Sequence, residues 1–338
     1  MHKVAVVGGG SWGTAFAALV AENIREKTSV FDKQIVLWAK AEVVDGEEIA
    51  HGINTGKRNK KYLPGVQLPE NIHCTSSLQK AIKDADILIF AVPTKYLGQI
   101  CADAAQYATN PAVALSLSKG FVPHDKTFCF PSETIKRYFP EAAVSALSGP
   151  NIALEIAHRF PAETTLASAD DHALGLLSSL IQNSFLSVKP HKNITAVEAY
   201  GALKNIVAVG LGAASSTGCP SNTLAVILRK GITEMVLFLD LFCGIKDTSV
   251  FLEPCGIGDL FVTLLAGRSM ELGRNIAKKK EAGAPEIQAE HTAADLHAFL
   301  AAKNKTDRFP FFTAVYNAVS GKTDPESFVS LVATPNPL

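Results

Sequence analysis

Lys204 is the one charged residue in Ala199-Tyr200-Gly201-Ala202-Leu203-Lys204-Asn205-Ile206-Val207-Ala208. On a helix its neighbours three and four residues away are Tyr200, Gly201, Val207 and Ala208, so the ammonium group has no obvious solvated face. An unpaired charge is costly to remove from water. Such a lysine must find a partner, give up its proton or line a cavity, and each outcome suits an acid/base catalyst. The structural alternative is a stem that packs while the amine snorkels to water. Further on, Gly256-Ile257-Gly258-Asp259-Leu260-Phe261-Val262-Thr263 sets a carboxylate and a hydroxyl four residues apart, on one face of a helix. Asp259 equally suits an ordinary cap or first-turn acid. Arg268, in Gly267-Arg268-Ser269, adds a guanidinium suited to bidentate phosphate recognition.

A second set of residues points to a nucleotide. Val4-Ala5-Val6-Val7-Gly8-Gly9-Gly10-Ser11-Trp12-Gly13-Thr14-Ala15 reads as strand, glycine-rich turn and helix. Gly8, Gly10 and Gly13 fill the G-x-G-x-x-G positions: a tight turn, a close backbone approach to a pyrophosphate, and close packing of helix on strand. The helix that opens at Ser11 and Trp12 would offer N–H groups and partial positive charge to the phosphates. A merely structural turn is the alternative; the setting in a βαβ unit favours the dinucleotide. After the second strand, Trp38-Ala39-Lys40 brings no acid before Glu42. An acid there would hold a ribose 2′-hydroxyl and a basic residue a 2′-phosphate, so NAD and NADP both stay open, with Lys40 the residue in question. Ligands of open α/β sheets bind beyond the carboxyl ends of strands. That singles out Pro93 in Ala91-Val92-Pro93-Thr94 and Lys119 in Ser116-Leu117-Ser118-Lys119-Gly120.

These residues need a frame to position them. The chain has 338 residues, 47% hydrophobic and 19% charged, a length that suits two domains. Continuous apolar runs at 4–7, 34–38, 86–92 and 112–117, extended by 143–147, 164–167 and 185–188, suggest a parallel sheet covered on both faces. Their alternation with helical patterns predicts an α/β Rossmann-type, doubly wound domain over 1–191. Beyond it strand runs vanish. Helical stretches at 193–215, 220–243 and 288–303 predict an all-α domain over 192–338, the first stretch its central helix. Residues 46–68, with Lys57, Arg58, Lys60 and Lys61, read as a solvated basic loop.

Composition excludes several function classes. A formal net charge of zero gives no broad field for nucleic acid or an anionic membrane, though a few local cations could hold a small anion. The six cysteines show no C-x-x-C pairing and the nine histidines no H-E-x-x-H, so no metal is expected. No apolar run is expected to cross a bilayer; residues 235–245 come nearest and are interrupted by Asp240. A strand pattern at the start leaves no room for a signal peptide, and the ending Pro335-Asn336-Pro337-Leu338 carries no targeting signal. A cytoplasmic location is expected.

Taken together, the chain resembles the NAD-dependent glycerol-3-phosphate dehydrogenases over nearly its whole length. The matching segments are Gly8-Gly9-Gly10-Ser11-Trp12-Gly13-Thr14-Ala15, Leu147-Ser148-Gly149-Pro150-Asn151-Ile152-Ala153-Leu154-Glu155-Ile156-Ala157 and Gly201-Ala202-Leu203-Lys204-Asn205. Ser221-Asn222-Thr223, Arg229-Lys230-Gly231 and Gly256-Ile257-Gly258-Asp259-Leu260 follow in order. The resemblance implies a two-domain enzyme, usually a homodimer, that interconverts dihydroxyacetone phosphate and sn-glycerol 3-phosphate. It assigns Lys204 as the catalytic lysine, with Lys119, Asn151, Asn205, Asp259 and Thr263 lining the substrate site. Arg268, with Ser269 beside it, falls on the phosphate grip. Gly8, Gly10, Ser11, Trp12, Gly13, Lys40, Pro93, Lys119, Ala153, Arg268 and Glu290 fall on the cofactor side. Ser269 stands where family members commonly have asparagine, and His291 follows Glu290 where many have glycine. A ketopantoate-type dehydrogenase and a cofactor-binding protein without turnover are the alternatives; the Gly-Asp-Leu block followed by Arg268 favours the phosphorylated triose.

Overall fold

Apolar runs without polar interruption are satisfied by burial on both faces, and the run at 4–7 becomes the middle of a sheet. A computed structural model describes residues 1–27, 29–124, 127–276 and 288–333. In chain order the elements are β1 (His2–Val7), α1 (Ser11–Glu26), β2 (Phe31–Trp38), β3 (Val43–Val44), β4 (Glu47–Glu48), α2 (Ile49–Gly56), β5 (Ile72–Thr75), α3 (Leu78–Ile82), β6 (Ile87–Phe90), α4 (Thr94–Ala105), β7 (Val113–Ser116), β8 (Val122–His124), β9 (Thr127–Cys129), α5 (Pro131–Tyr138), β10 (Ala143–Ser148), α6 (Ala153–Ala157), β11 (Ala162–Ser168), α7 (Asp171–Ile181) and β12 (Leu186–His191). Helices then dominate: α8 (Ile194–Ser216), α9 (Ser221–Cys243), α10 (Asp259–Ala266), α11 (Arg268–Ile276), α12 (Gln288–Ala302), α13 (Pro310–Val319) and α14 (Pro325–Ala333). The terminal Pro335-Asn336-Pro337-Leu338 lies outside the described residues.

The large sheet runs β12-β11-β10-β7-β6-β1-β2-β5. From β5 to β10 every pairing is parallel, and strand order reverses at β1, between β2 and β6. That reversal opens a crevice at the carboxyl ends of β1 and β6, the general ligand position of such sheets. β11 pairs antiparallel to β10 and carries β12 parallel with it, so the last two strands run against the rest. Helix α1 seals one face, burying Phe16, Leu19, Val20 and Ile24 against Val4, Val6, Ile35 and Leu37.

The chain divides into two compact units: residues 1–122 with 131–194, and residues 123–130 with 195–338. The described elements after β12 are helical as expected, and the short β8–β9 sheet, from earlier in the chain, groups mostly with that helical unit. Its Phe128 ring lies 5.0 Å from Phe299 and 6.5 Å from Phe238, an aromatic contact that no local pattern announces. The basic segment is also more than a solvated loop. It contains β4, which pairs with β3 just before it, and α2, and it buries Ile53, Leu63, Val66 and Leu68. Its cations are matched: Lys60 pairs with Glu47 at 2.8 Å, Lys61 pairs with Glu42, and Lys57 Nζ donates to the carbonyls of Glu70 and Ile72.

Among the described residues helix α8, not residues 235–245, comes nearest to the length and apolarity of a bilayer span. By length and composition alone it could cross a membrane, yet 83% of its most apolar window is buried inside the protein. Glycine and alanine make it a core helix. A Cβ on Gly212 would stand 2.3 Å from the carbonyl oxygen of Met270, and one on Gly273 would stand 2.1 Å from that of Val209. Helices α8 and α11 therefore meet backbone to backbone.

Candidate active site

In the first unit the glycine turn is built by contacts that exclude a Cβ. Gly8 has φ +128°, and a Cβ there would lie 2.4 Å from the carbonyl oxygen of Ala91; at Gly13 it would lie 1.8 Å from that of Gly8. Gly10 is different: nothing lies within 4 Å of its hypothetical Cβ. The backbone there faces open space at the start of α1, where Gly10 is the N-cap and no side chain caps the first turn. This is the local shape a pyrophosphate requires, with helix N–H groups and open ground above a glycine. Ser11 and Trp12 begin the helix, and the Trp12 ring meets Phe16 edge-on at 5.6 Å.

The other sequence-selected residues of this unit also stand at carboxyl ends of strands. Pro93 is the N-cap of α4, just past β6. Past β7, Ser118 Oγ donates to the carbonyl oxygen of Val92 at 2.6 Å, and Lys119 Nζ donates to that of Gly149 at 2.9 Å. Past β10, the Asn151 N–H donates to that same carbonyl at 2.8 Å, and Asn151 Nδ2 donates to that of Glu163 at 2.9 Å. Asn151 Oδ1 is buried with no hydrogen-bond partner, a polar atom positioned for a ligand donor. Lys119 and Asn151 thus converge on Gly149. Ala153 opens α6, half-buried against the core. Lys40 is exposed after β2, while the Glu42 carboxylate accepts from Lys61 and from the Tyr62 hydroxyl. The Lys61 and Tyr62 hydrogen bonds hold that carboxyl below its usual range.

In the second unit α8 carries Lys204 into the interior, 4% exposed. Its Nζ lies 2.6 Å from Asp259 Oδ1 and donates to Thr263 Oγ1 at 2.6 Å and to the Asp259 carbonyl oxygen at 3.3 Å. The Thr263 hydroxyl in turn donates to the Asp259 carbonyl at 2.7 Å. Asp259 and Thr263 are 3% and 6% exposed, so water does not carry the lysine's charge; the carboxylate does. Asp259 is both the first-turn acid of α10 and the ion-pair partner of the lysine. A π-helical turn, Pro254–Gly258, leads into α10. Gly256 fits there only without a Cβ, which would lie 2.2 Å from the carbonyl oxygen of Phe251.

Asn205, next on α8, donates through Nδ2 to the Gly201 carbonyl at 3.1 Å, and its Oδ1 accepts from Ser269 Oγ at 3.0 Å. Ser269 is therefore a buried tether for Asn205, a role that its place beside Arg268 in the sequence does not disclose. Arg268 is exposed at the first position of α11. Glu290 is half-buried near the start of α12. No group of three or more His, Cys, Asp or Glu side chains able to hold a metal occurs among the described residues.

Two family models match the chain: the NAD-dependent glycerol-3-phosphate dehydrogenase N-terminus over residues 3–174 and its C-terminus over 193–330. The cytoplasmic NAD(+) glycerol-3-phosphate dehydrogenase of Bos taurus is 36% identical over 324 residues, covering 93% of this chain and 92% of the relative. A glycerol-3-phosphate dehydrogenase structure from Plasmodium falciparum superposes with a TM-score of 0.92 at 30% identity, covering 100% of this chain and 96% of the other. A ketopantoate reductase from Ralstonia eutropha, at 14% identity and a TM-score of 0.57 over 96% of this chain and 99% of its own, shares the fold.

Proposed function

The chain belongs to the NAD-dependent glycerol-3-phosphate dehydrogenase family, and from that premise we propose that it interconverts dihydroxyacetone phosphate and sn-glycerol 3-phosphate with Lys204 as general acid/base. It is an NAD-dependent oxidoreductase by family. When bound, the reduced nicotinamide supplies a hydride to the ketone carbon. The chain's own part is to manage the charge that then grows on the carbonyl oxygen. Lys204 donates a proton to that oxygen and, in reverse, removes it from the hydroxyl. The observation that carries this reading is the buried lysine held at 2.6 Å by both Asp259 and Thr263. Two fixed partners aim the Nζ, and a dry setting strengthens its interaction with a developing oxyanion.

The remaining assignments follow the same reading, unit by unit. In the first, Gly8, Gly10, Ser11, Trp12 and Gly13 receive the pyrophosphate, with Lys40, Pro93 and Ala153 on the cofactor side and Lys119 and Asn151 toward the substrate. In the second, Asn205 lines the substrate site, Arg268 grips the phosphate with Ser269 behind Asn205, and Glu290 serves the cofactor. A homodimer and a cytoplasmic location belong to this reading. The first is supported by the exposed apolar side chains Leu252, Ile257, Phe261 and Leu265, the second by the names of relatives. Light scattering that gives the mass of a single chain would remove the dimer.

The test is oxidation of NADH, and separately of NADPH, with dihydroxyacetone phosphate, against unphosphorylated dihydroxyacetone. Rapid oxidation of NADH with the phosphorylated ketone alone is expected. Equal rates with both ketones would sink the phosphate assignment, and no oxidation by protein that binds NADH would sink the reaction.

A further inference from the structure

Asn59 lies among the cations of the basic segment, yet it is 1% exposed. All its amide groups are used. Nδ2 donates to the Gly9 carbonyl oxygen at 3.0 Å and to Thr14 Oγ1 at 2.9 Å, while Oδ1 accepts from the Tyr62 N–H at 3.1 Å. Thr14 Oγ1 donates to the same Gly9 carbonyl at 3.2 Å. A residue 50 positions along the chain therefore grips one peptide of the glycine turn from beneath.

That peptide joins Gly9 to Gly10. With no Cβ on either side, it can rotate about its own axis at small steric cost. In a planar trans peptide the C=O and the following N–H point in opposite directions. With the Gly9 carbonyl drawn onto Asn59, the Gly10 N–H must point away from Asn59. Nothing crowds Gly10 on its Cβ side, and α1 begins at the next residue. Turned over, the same peptide would present a carbonyl dipole to the phosphates instead of a donor.

We propose that Asn59 is a positioning residue for the dinucleotide, locking the Gly9–Gly10 peptide with its carbonyl inward and its N–H toward the pyrophosphate. The proposal rests on the NAD reading above. It gives the basic segment a function that its charge does not express: the surrounding lysines pair with acids and carbonyls, and the neutral amide among them serves the cofactor.

Binding measurements test it, by titration calorimetry with NAD+, ADP and adenosine. Asn59→Leu, checked for folding by thermal melting, should weaken NAD+ and ADP by about ten-fold, the effect of removing the shorter of the two hydrogen bonds that hold a buried carbonyl and leaving it to Thr14 Oγ1 alone. Adenosine, which lacks phosphates, should change by less than about twofold. In turnover the loss should appear in KM for NADH and not in kcat. Asn59→Asp keeps the acceptor for Tyr62 but can donate to Gly9 only when protonated. Burial at this position would raise the new carboxyl well above its ordinary value, so the variant's Kd for NAD+ relative to the wild type should fall as pH drops from about 8 to about 5. The proposal is overturned by a folded Asn59→Leu that binds ADP as the wild type does, or that loses adenosine equally. It is also overturned by an Asn59→Asp ratio that does not move with pH. Wild-type protein that binds neither NAD+ nor ADP overturns the cofactor reading and the proposal together.

Discussion

Lys204 shows how a single residue's surroundings decide its chemistry. An ammonium group 4% exposed cannot be left to solvent, and the Asp259 carboxylate at 2.6 Å supplies the opposite charge that makes the position tolerable. Thr263 adds direction, because its hydroxyl is itself held by the Asp259 carbonyl and accepts from only part of the ammonium fan. Removing the lysine should separate chemistry from binding. Lys204→Ala is expected to lower kcat by about 10²–10⁴, the range for a positioned acid/base group. Its Kd for NADH should stay close to that of the wild type. A variant that keeps most of its turnover would show that another group moves the proton. The burial that exposes Lys204 as unusual was legible in its apolar neighbours. Its partners were legible only as a face of a separate helix.

Elements carry these residues, and their packing sets how far each can stray. Helix α11 begins with Arg268 and Ser269 and lies backbone to backbone on α8, the helix of Lys204 and Asn205. Gly273→Ala would place a Cβ 2.1 Å from the Val209 carbonyl, so the helices must part. A loss of about 1–3 kcal/mol is expected, read as a lower urea midpoint. Gly175→Ala on α7 is the control; nothing lies within 4 Å of that Cβ, so it should be neutral or mildly stabilising. Equal effects at both glycines would dismiss the close-approach explanation. A second element contact responds to pH. Glu234 on α9 accepts the N–H groups of Phe311 and Phe312 at 2.6 and 2.9 Å, capping the first turn of α13. Burial pushes its carboxyl from 4.5 up to about 7, against the pull of those two donors and the Lys230 charge. The native state then holds a proton more tightly than the unfolded chain. This contribution to stability is full below about pH 4.5 and is lost as pH rises through about 7, on the order of 3 kcal/mol in all. Glu234→Gln cannot ionise and should flatten that decline in denaturant titrations. An unchanged slope would place the pH dependence elsewhere.

At the scale of the whole molecule the two units have separate cores, and ligand binding should report on the first of them. A ligand present at about 100 times its Kd stabilises the state that binds it by about 2.7 kcal/mol. NADH at such a concentration is expected to raise the thermal transition of the unit formed by 1–122 and 131–194. A saturating titration with no shift would count against the glycine turn as the receptor. The sequence by itself determined the elements and the local chemistry. Continuous apolar runs specify strands of a covered sheet, three glycines at fixed spacing specify a turn onto a helix, and a lysine amid apolar helical neighbours marks itself. All of these are properties of residues within a few positions of one another. Tertiary structure alone decided which distant groups meet: Asn59 beneath Gly9, Ser269 on Asn205, Glu234 on α13, and residues 123–130 against the helical unit. It also turned an apolar helix of bilayer length into a core helix by surrounding it with protein. Such pairings depend on where the chain returns in space, and neither hydrophobic period nor residue spacing encodes a contact across 50 or more residues.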